Sequence, residues 1–271
     1  MIGFDNGMFR ELQVIAVPVT SISINRGYGA FEFFEVIHGK PFYGERHLER
    51  FDRSLRLLKL TIDFRARLPK IIEELIKHNH MEHAYIKMFA LPHTQRSGDS
   101  YQAALYIFPT QMPKFDASLY KQGAKLALKE FRRFLPEAKS TNYLAGQFWA
   151  DEITDARTVD ILYHNGTSVQ ETSRGNIFVV KNGEIITPEE NILKGITRSI
   201  VLDILREKQF SHQETEIGLE DLMTADEVFL ASTTKQIMPI VQIDGYTIGN
   251  GKPGTTTRQI IEEFQRIRDN Y

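Results

Sequence analysis

Cysteine is absent from all 271 residues, which rules out a disulfide framework and thiolate metal sites and leaves the redox compartment open. An excess of charge of one sign is absent too. The net charge is −2, so nothing in the composition points to nucleic acid or an anionic membrane surface as a partner. Small molecules are the expected partners, with no nucleic acid and no membrane among them. No apolar run approaches the length that crosses a bilayer, and the N-terminal MIGFDNGMFREL has no basic stretch followed by a hydrophobic one. The cytoplasm is the expected location. Internal repeats and low-complexity segments are also missing.

What is present is a hydrophobic content of 42%, enough for the cores of two modest domains. Two prolines in Pro109-Thr110-Gln111-Met112-Pro113-Lys114 prevent regular structure there. That puts a linker at 111–114, a smaller N-terminal α/β domain at 1–110 and a larger C-terminal α/β domain at 115–271. In the first, β-branched alternation from Gln13 to Ser23 predicts a strand, with Pro18 at an edge or bulge. The run Phe31 to Ile37 predicts a strand buried on both faces, followed by a hairpin turn at His38-Gly39-Lys40. Leu48, Phe51, Leu55 and Leu58 fall at helical spacing within 44–60, and a second amphipathic helix spans Leu68 to Lys77. Strands are expected near 84–90 and 101–108, with a polar loop from Leu91 to Ser100 between them. In the second half, Ala124 to Phe131 predicts a strand and Tyr143 to Arg157 a helix. Asn165-Gly166, Asn182-Gly183 and Asp244-Gly245 lie between β-rich runs and mark hairpins. Further helices are expected from Gly195 to Glu207 and from Thr255 to Arg268.

Chemistry concentrates between Pro136 and Arg198. Lys139 precedes a helical run, Glu171 follows a hairpin, and Gly195-Ile196-Thr197-Arg198 opens a helix. An amine becomes a nucleophile near neutral pH when it is partly desolvated or close to positive charge. A carboxylate can keep a ring nitrogen protonated, and the N–H groups of a helix start bind phosphate. Together these suit an enzyme that uses pyridoxal phosphate. Taken singly, each has a plainer reading: a surface lysine, a solvated turn carboxylate, a helix start with glycine in the turn. His78, His80, Glu82 and His83 cluster near a helix end but lack an i, i+4 histidine pair, so no metal is expected.

The order and spacing of Asn25-Arg26-Gly27-Tyr28, His47-Leu48-Glu49-Arg50, Lys139-Ser140-Thr141-Asn142-Tyr143 and Asp244-Gly245 resemble the class-IV aminotransferase family over nearly the whole length. This is fold type IV of the pyridoxal-phosphate enzymes, and it includes branched-chain aminotransferases, D-amino-acid aminotransferases and aminodeoxychorismate lyases. The resemblance implies a two-domain α/β (α+β) fold of the D-amino-acid-aminotransferase-like kind. It implies pyridoxal 5'-phosphate between the domains, and a homodimer in which the partner helps complete the substrate pocket. It implies Lys139 as the residue that links to the cofactor and carries the proton, and Glu171 as the partner of the pyridine nitrogen. Ile196 and Thr197 would hold the phosphate, with Arg50 as the balancing charge. Thr233 and Thr234 match a hydroxyl-bearing turn on the cofactor and substrate side. Tyr143 matches a tyrosine near the cofactor's phenolic oxygen, although the spacing in branched-chain enzymes is one residue longer. A buried tyrosine at the helix start explains it almost as well.

The substrate residues depart from the family pattern. Where many members have Gly-Asp-Gly ahead of a Val-(Phe/Tyr)-Glu strand, this chain has Ala30-Phe31-Glu32-Phe33-Phe34-Glu35, and the distance from Arg26 to Glu35 is one residue shorter. On that alignment Phe34 replaces the tyrosine that D-amino-acid enzymes use for the substrate carboxylate, and Tyr28 and Phe34 belong to the substrate side. Lys87, in Ala84-Tyr85-Ile86-Lys87, replaces an arginine of the branched-chain enzymes and would meet a carboxylate as a point charge. The reaction implied is amino transfer between an amino acid and a 2-oxo acid, branched-chain-aminotransferase-like. The alternatives are elimination of pyruvate from aminodeoxychorismate at the same lysine, and a homologue that binds the cofactor without turnover.

Overall fold

Asn6 and Gly7 take positive φ angles of 41° and 119°, which turn the chain between the strands Ile2–Asp5 and Met8–Glu11. This hairpin forms one edge of a seven-stranded sheet. In the computed structural model, which describes residues 1–111 and 114–271, the strand order runs Met8–Glu11, Ile2–Asp5, Ser100–Thr110, His83–Ser97, Ala30–Ile37, Lys40–Pro41. Leu60–Thr61 joins Ser100–Thr110 in parallel. The expected linker at 111–114 includes Met112 and Pro113, which lie outside the described residues.

Two expectations for this part fail. The predicted strand from Gln13 to Ser23 is instead a 3-10 turn, Leu12–Val14, and a short helix, Ile22–Arg26. Pro18 has no N–H for a ladder. The Ser21 hydroxyl accepts from Ser23 N at 3.2 Å to start the helix, and Gly27, at φ 62°, ends it. The predicted polar loop from Leu91 to Ser100 is mostly strand, because His83–Ser97 and Ser100–Thr110 stay paired out to Ser97 opposite Ser100.

The helices Gly44–Leu57 and Leu68–His78 bury apolar stripes that include Phe51, Leu55, Ile71, Ile72 and Leu75. In the strand Ala30–Ile37, Ala30, Glu32, Phe34 and Val36 are all fully buried, whereas Phe31 and Phe33 are only half-buried. The strand is therefore not covered equally on both faces. Phe31 and Phe33 share their face with Phe89 and Lys87, their direct partners on His83–Ser97.

The second sheet has ten strands. Six of them, Gly175–Lys181, Glu227–Ser232, Gln236–Ile243, Ala124–Glu130, Thr158–His164 and Ser168–Thr172, close into a ring, because Ser168–Thr172 pairs back onto Gly175–Lys181. Val169, Ile177, Val179, Leu230, Met238 and Ile240 belong to its apolar core. Helices Ile196–Glu207 and Thr255–Asp269 pack on this sheet and on each other. The helix predicted from Tyr143 to Arg157 covers only Leu144–Ala150. Asp155 stops it from resuming, since its carboxylate accepts from Arg157 N at 2.8 Å and forms a local turn.

The chain divides into two compact units: Met1–Met112 with Ala138–Asn142 and Tyr271, and Pro113–Glu137 with Tyr143–Asn270. The segment with Lys139, expected in the C-terminal domain, thus belongs to the first unit. Backbone bonds hold it there: Phe31 N donates to Lys139 O at 2.9 Å and Thr141 N to Gly29 O at 2.9 Å, with Ala30 bridged to Ser140.

Candidate active site

Lys139 is fixed on two sides within the first unit. Its carbonyl is held by the strand Ala30–Ile37, and its N–H donates to the Ser54 hydroxyl at 3.0 Å. The side chain lies along the half-buried aromatic face, with Nζ 4.5 Å from the centre of the Phe31 ring. Lys87 Nζ lies 5.7 Å from the same ring and 5.0 Å from Phe89. An aromatic face next to an amine removes water and tolerates a cation, the setting in which a lysine can exchange its proton.

Ser54 also connects Lys139 to Arg50, because its hydroxyl donates to Arg50 O one helical turn earlier. The Arg50 guanidinium grips the fully buried Glu32, with Nε donating to Oε2 at 3.0 Å and Nη2 to Oε1 at 2.5 Å. His47 Nδ1 lies 3.1 Å from Oε1. Burial alone would raise the Glu32 carboxyl, but Arg50 and His47 outweigh it and hold the group far below the ordinary glutamate range. Burial, only partly opposed by Glu32, pushes His47 down, so its ring is neutral near pH 7. The Nη1 edge of Arg50 is the one Glu32 leaves unused. Glu32 escaped sequence reasoning, and His47 entered it only within the motif of Arg50; the signal for Glu32 was a carboxylate placed inside an aromatic strand.

The structure corrects Phe34. It lies on the opposite face of its strand from Phe31, 1% exposed, with its ring 5.4 Å from that of His47. Strand alternation sends it into the core, and Phe31 and Phe33 take the face that carries Lys139 and Lys87. Tyr28 is tied down elsewhere, its hydroxyl donating to Leu58 O and its ring edge-on to Tyr101.

In the second unit, Glu171 is buried and directly opposite Asn176 in the pairing that closes the ring. Its Oε1 pairs with Arg133 Nη1 at 2.8 Å, and its Oε2 accepts from Leu193 N at 2.9 Å. Burial would lower the Arg133 guanidinium, but Glu171 outweighs it and raises the group. Tyr143, the residue before helix Leu144–Ala150, is close enough for its phenol to act on Arg133 in the same sense. Asn176 donates to Leu193 O at 2.8 Å. It also packs so tightly on Gly195 that any side chain there would overlap its carbonyl oxygen. Gly195 precedes helix Ile196–Glu207, whose first turn has no side-chain cap and in which Ile196 and Thr197 are buried. Glu171, Leu193 and Asn176 therefore form one bonded cluster packed against this helix start, whose N–H groups suit an anion. Arg133 and Asn176 also escaped sequence reasoning, since nothing in Phe131-Arg132-Arg133-Phe134 tells one arginine from the other.

Thr233 and Thr234 occupy the turn between Glu227–Ser232 and Gln236–Ile243, half-buried, with Ser232 Oγ 3.4 Å from Thr234 Oγ1. Among the described residues, no helix is long and apolar enough to cross a membrane.

Residues 29–243 match the family model for amino-transferase class IV. The chain is 27% identical to a D-alanine aminotransferase of Listeria monocytogenes, over 96% of this chain and 93% of that protein. Among solved structures, it is 30% identical to the branched-chain aminotransferase of the thermophilic archaeon Thermoproteus uzoniensis with norvaline, at a TM-score of 0.88, covering 99% of this chain and 94% of that one. The branched-chain amino acid aminotransferase of Escherichia coli shares the fold at a TM-score of 0.85 and 24% identity, over 97% of this chain and 92% of that one. With the model spanning most of its length, the chain belongs to the class IV aminotransferase family.

Proposed function

We propose that this protein moves an amino group between an amino acid and a 2-oxo acid using pyridoxal 5'-phosphate, with Lys139 as the residue that links to the cofactor. The observation that carries this reading is the cluster around Glu171. A buried carboxylate held by Arg133 and Leu193 N is joined through Asn176 to a helix start suited to phosphate. These residues fit the cofactor.

When bound, the cofactor supplies an electron sink for the bond broken at the substrate α-carbon. Glu171 keeps the proton on the ring nitrogen. Ile196 and Thr197 offer backbone N–H groups to the phosphate, and Arg50 is assigned as its balancing charge. Tyr143 is assigned to the phenolic oxygen, and Thr233 and Thr234 to the cofactor and substrate side. With the cofactor bound, Lys139 Nζ would hold and move the proton of the substrate α-carbon, first as base and then as acid. Phe31 lies against Nζ and orients it through a cation–π contact. Lys87 meets the substrate carboxylate. Phe31 and Phe33 face the side chain of an apolar donor, in keeping with a branched-chain-aminotransferase-like preference. The same reading includes a homodimer, supported by the exposed Phe134, Leu144 and Phe148, and a cytoplasmic location.

The test is borohydride reduction of the protein with pyridoxal phosphate, followed by peptide mapping. The label is expected on Lys139, and a label on another lysine sinks the assignment. A panel of L- and D-amino acids then identifies the donor by release of its 2-oxo acid. Release of pyruvate from aminodeoxychorismate, without amino transfer, would replace the transaminase reading with the lyase.

A further inference from the structure

Lys235 and Asp160 are an almost fully buried ion pair, 2% and 5% exposed, with Nζ 2.8 Å from Oδ2. Neither residue has a part in the chemistry above. Each is bonded to a segment that does. Asp160 Oδ1 accepts from the Ser173 hydroxyl at 2.6 Å and from Ile161 N at 2.8 Å, and Oδ2 accepts from the Thr172 hydroxyl at 3.2 Å. Thr172 and Ser173 directly follow Glu171. Lys235 directly follows Thr233 and Thr234; its N–H donates to the Ser232 hydroxyl at 3.0 Å, and its carbonyl accepts from Tyr120 at 3.2 Å. Beyond Asp160, its ammonium lies 5.5 Å from the centre of the Phe115 ring.

Replacing a buried ion pair with apolar side chains of similar size is often neutral for stability, so a retained pair needs a reason other than cohesion. Position supplies one. The carboxylate is held by Lys235, the Ser173 hydroxyl and a backbone N–H, with the Thr172 hydroxyl shared between it and Gly175 O at 3.2 Å, so moving any one donor disturbs the others. Burial would raise the Asp160 carboxyl, but Lys235 and these hydrogen bonds outweigh it and hold the group below the ordinary aspartate range.

We propose that Asp160 and Lys235 are positioning residues that lock the turn after Glu171 to the Thr233–Thr234 turn, so that the two segments meet the cofactor in fixed register. This rests on the assignments of Lys139, Glu171 and Thr233 given above.

The test compares Lys235→Met, Lys235→Arg, Asp160→Asn and Ser173→Ala with the unaltered protein. The readouts are the pyridoxal phosphate dissociation constant, the absorbance maximum of the bound cofactor with its pH midpoint, kcat and KM separately, and the thermal midpoint without cofactor. Lys235→Met and Asp160→Asn are expected to weaken cofactor binding at least tenfold and to displace the absorbance midpoint, with kcat falling more than KM rises. Lys235→Arg is expected to restore binding to within a few-fold. Ser173→Ala removes only the hydroxyl between Asp160 and the Glu171 turn, so it keeps the test available if the charge variants do not fold, and a displaced absorbance midpoint is expected there too. Unchanged affinity, spectrum and kcat in the folded variants, with only a lower thermal midpoint, would overturn the proposal and leave the pair as cohesion. Failure of the unaltered protein to label at Lys139 overturns the underlying reading and this proposal with it, which separates the two failures.

Discussion

At the scale of single residues, Glu171 and Glu32 are two buried carboxylates beside arginines with different consequences. Replacing Glu171 by Gln keeps the acceptor for Leu193 N but removes the charge. We expect kcat to fall by about 10²–10³-fold with much smaller effects on cofactor affinity, and an undiminished kcat would remove Glu171 from the chemistry. Glu32 governs pH behaviour. Its carboxyl is held below the ordinary range, so its stabilisation is complete above about pH 4.3, where a free glutamate titrates, and is lost as pH falls towards the folded value. His47, a base pushed down by burial, acts in the same direction from about pH 6.5 downwards. Urea midpoints should therefore decline as pH drops below neutrality. Glu32→Gln should flatten the lower part of that slope, at a cost of about 3–5 kcal/mol because Arg50 is left buried and unpaired. An unchanged slope in that variant places the acid sensitivity elsewhere. The motif positions of Lys139 and Glu171 were legible in the sequence because their neighbours are distinctive. Phe34 was not, for a physical reason: Phe-Glu occurs at both 31–32 and 34–35. The two alignments differ by three residues, an odd number, so they put opposite sets on the site face of the strand. Only the partners of Glu32 decide between them.

At the scale of elements, the start of helix Ile196–Glu207 depends on a glycine because Asn176 occupies the space where a side chain would go. Gly195→Ala should displace Asn176 from Leu193 and loosen the support of Glu171. We expect a loss of about 1–3 kcal/mol in urea unfolding and faster release of cofactor. A variant that matches the parent in both would mean that the cluster tolerates movement. The boundaries of this helix and of Leu68–His78 were legible from apolar periodicity and turn residues. The strand predicted from Gln13 to Ser23 was not present, because β-branched alternation carries no record of whether an edge has room for a partner. The Asn6-Gly7 hairpin was available as a signal in the sequence and stands as the first turn of the sheet.

At the scale of the whole molecule, the exposed Phe134, Leu144 and Phe148 predict a dimer of twice the 31.2 kDa chain in light scattering. A monomeric mass at micromolar concentration would contradict it. Composition made two units legible, but not their membership. The bonds that assign Ala138–Asn142 to the first unit are backbone bonds, to which side-chain patterns are blind. Hydrogen exchange should show it, with the amides of Phe31 and Thr141 protected to a similar degree and opening together. That crossing of the chain has a consequence during synthesis. A ribosome that has released the first 112 residues has released a sheet that still lacks the segment with Lys139. The rest of the way to Lys139 must emerge, part of the second unit included, before that lysine can be set in place. The nascent chain thus has no assembled lysine site while the first sheet stands alone.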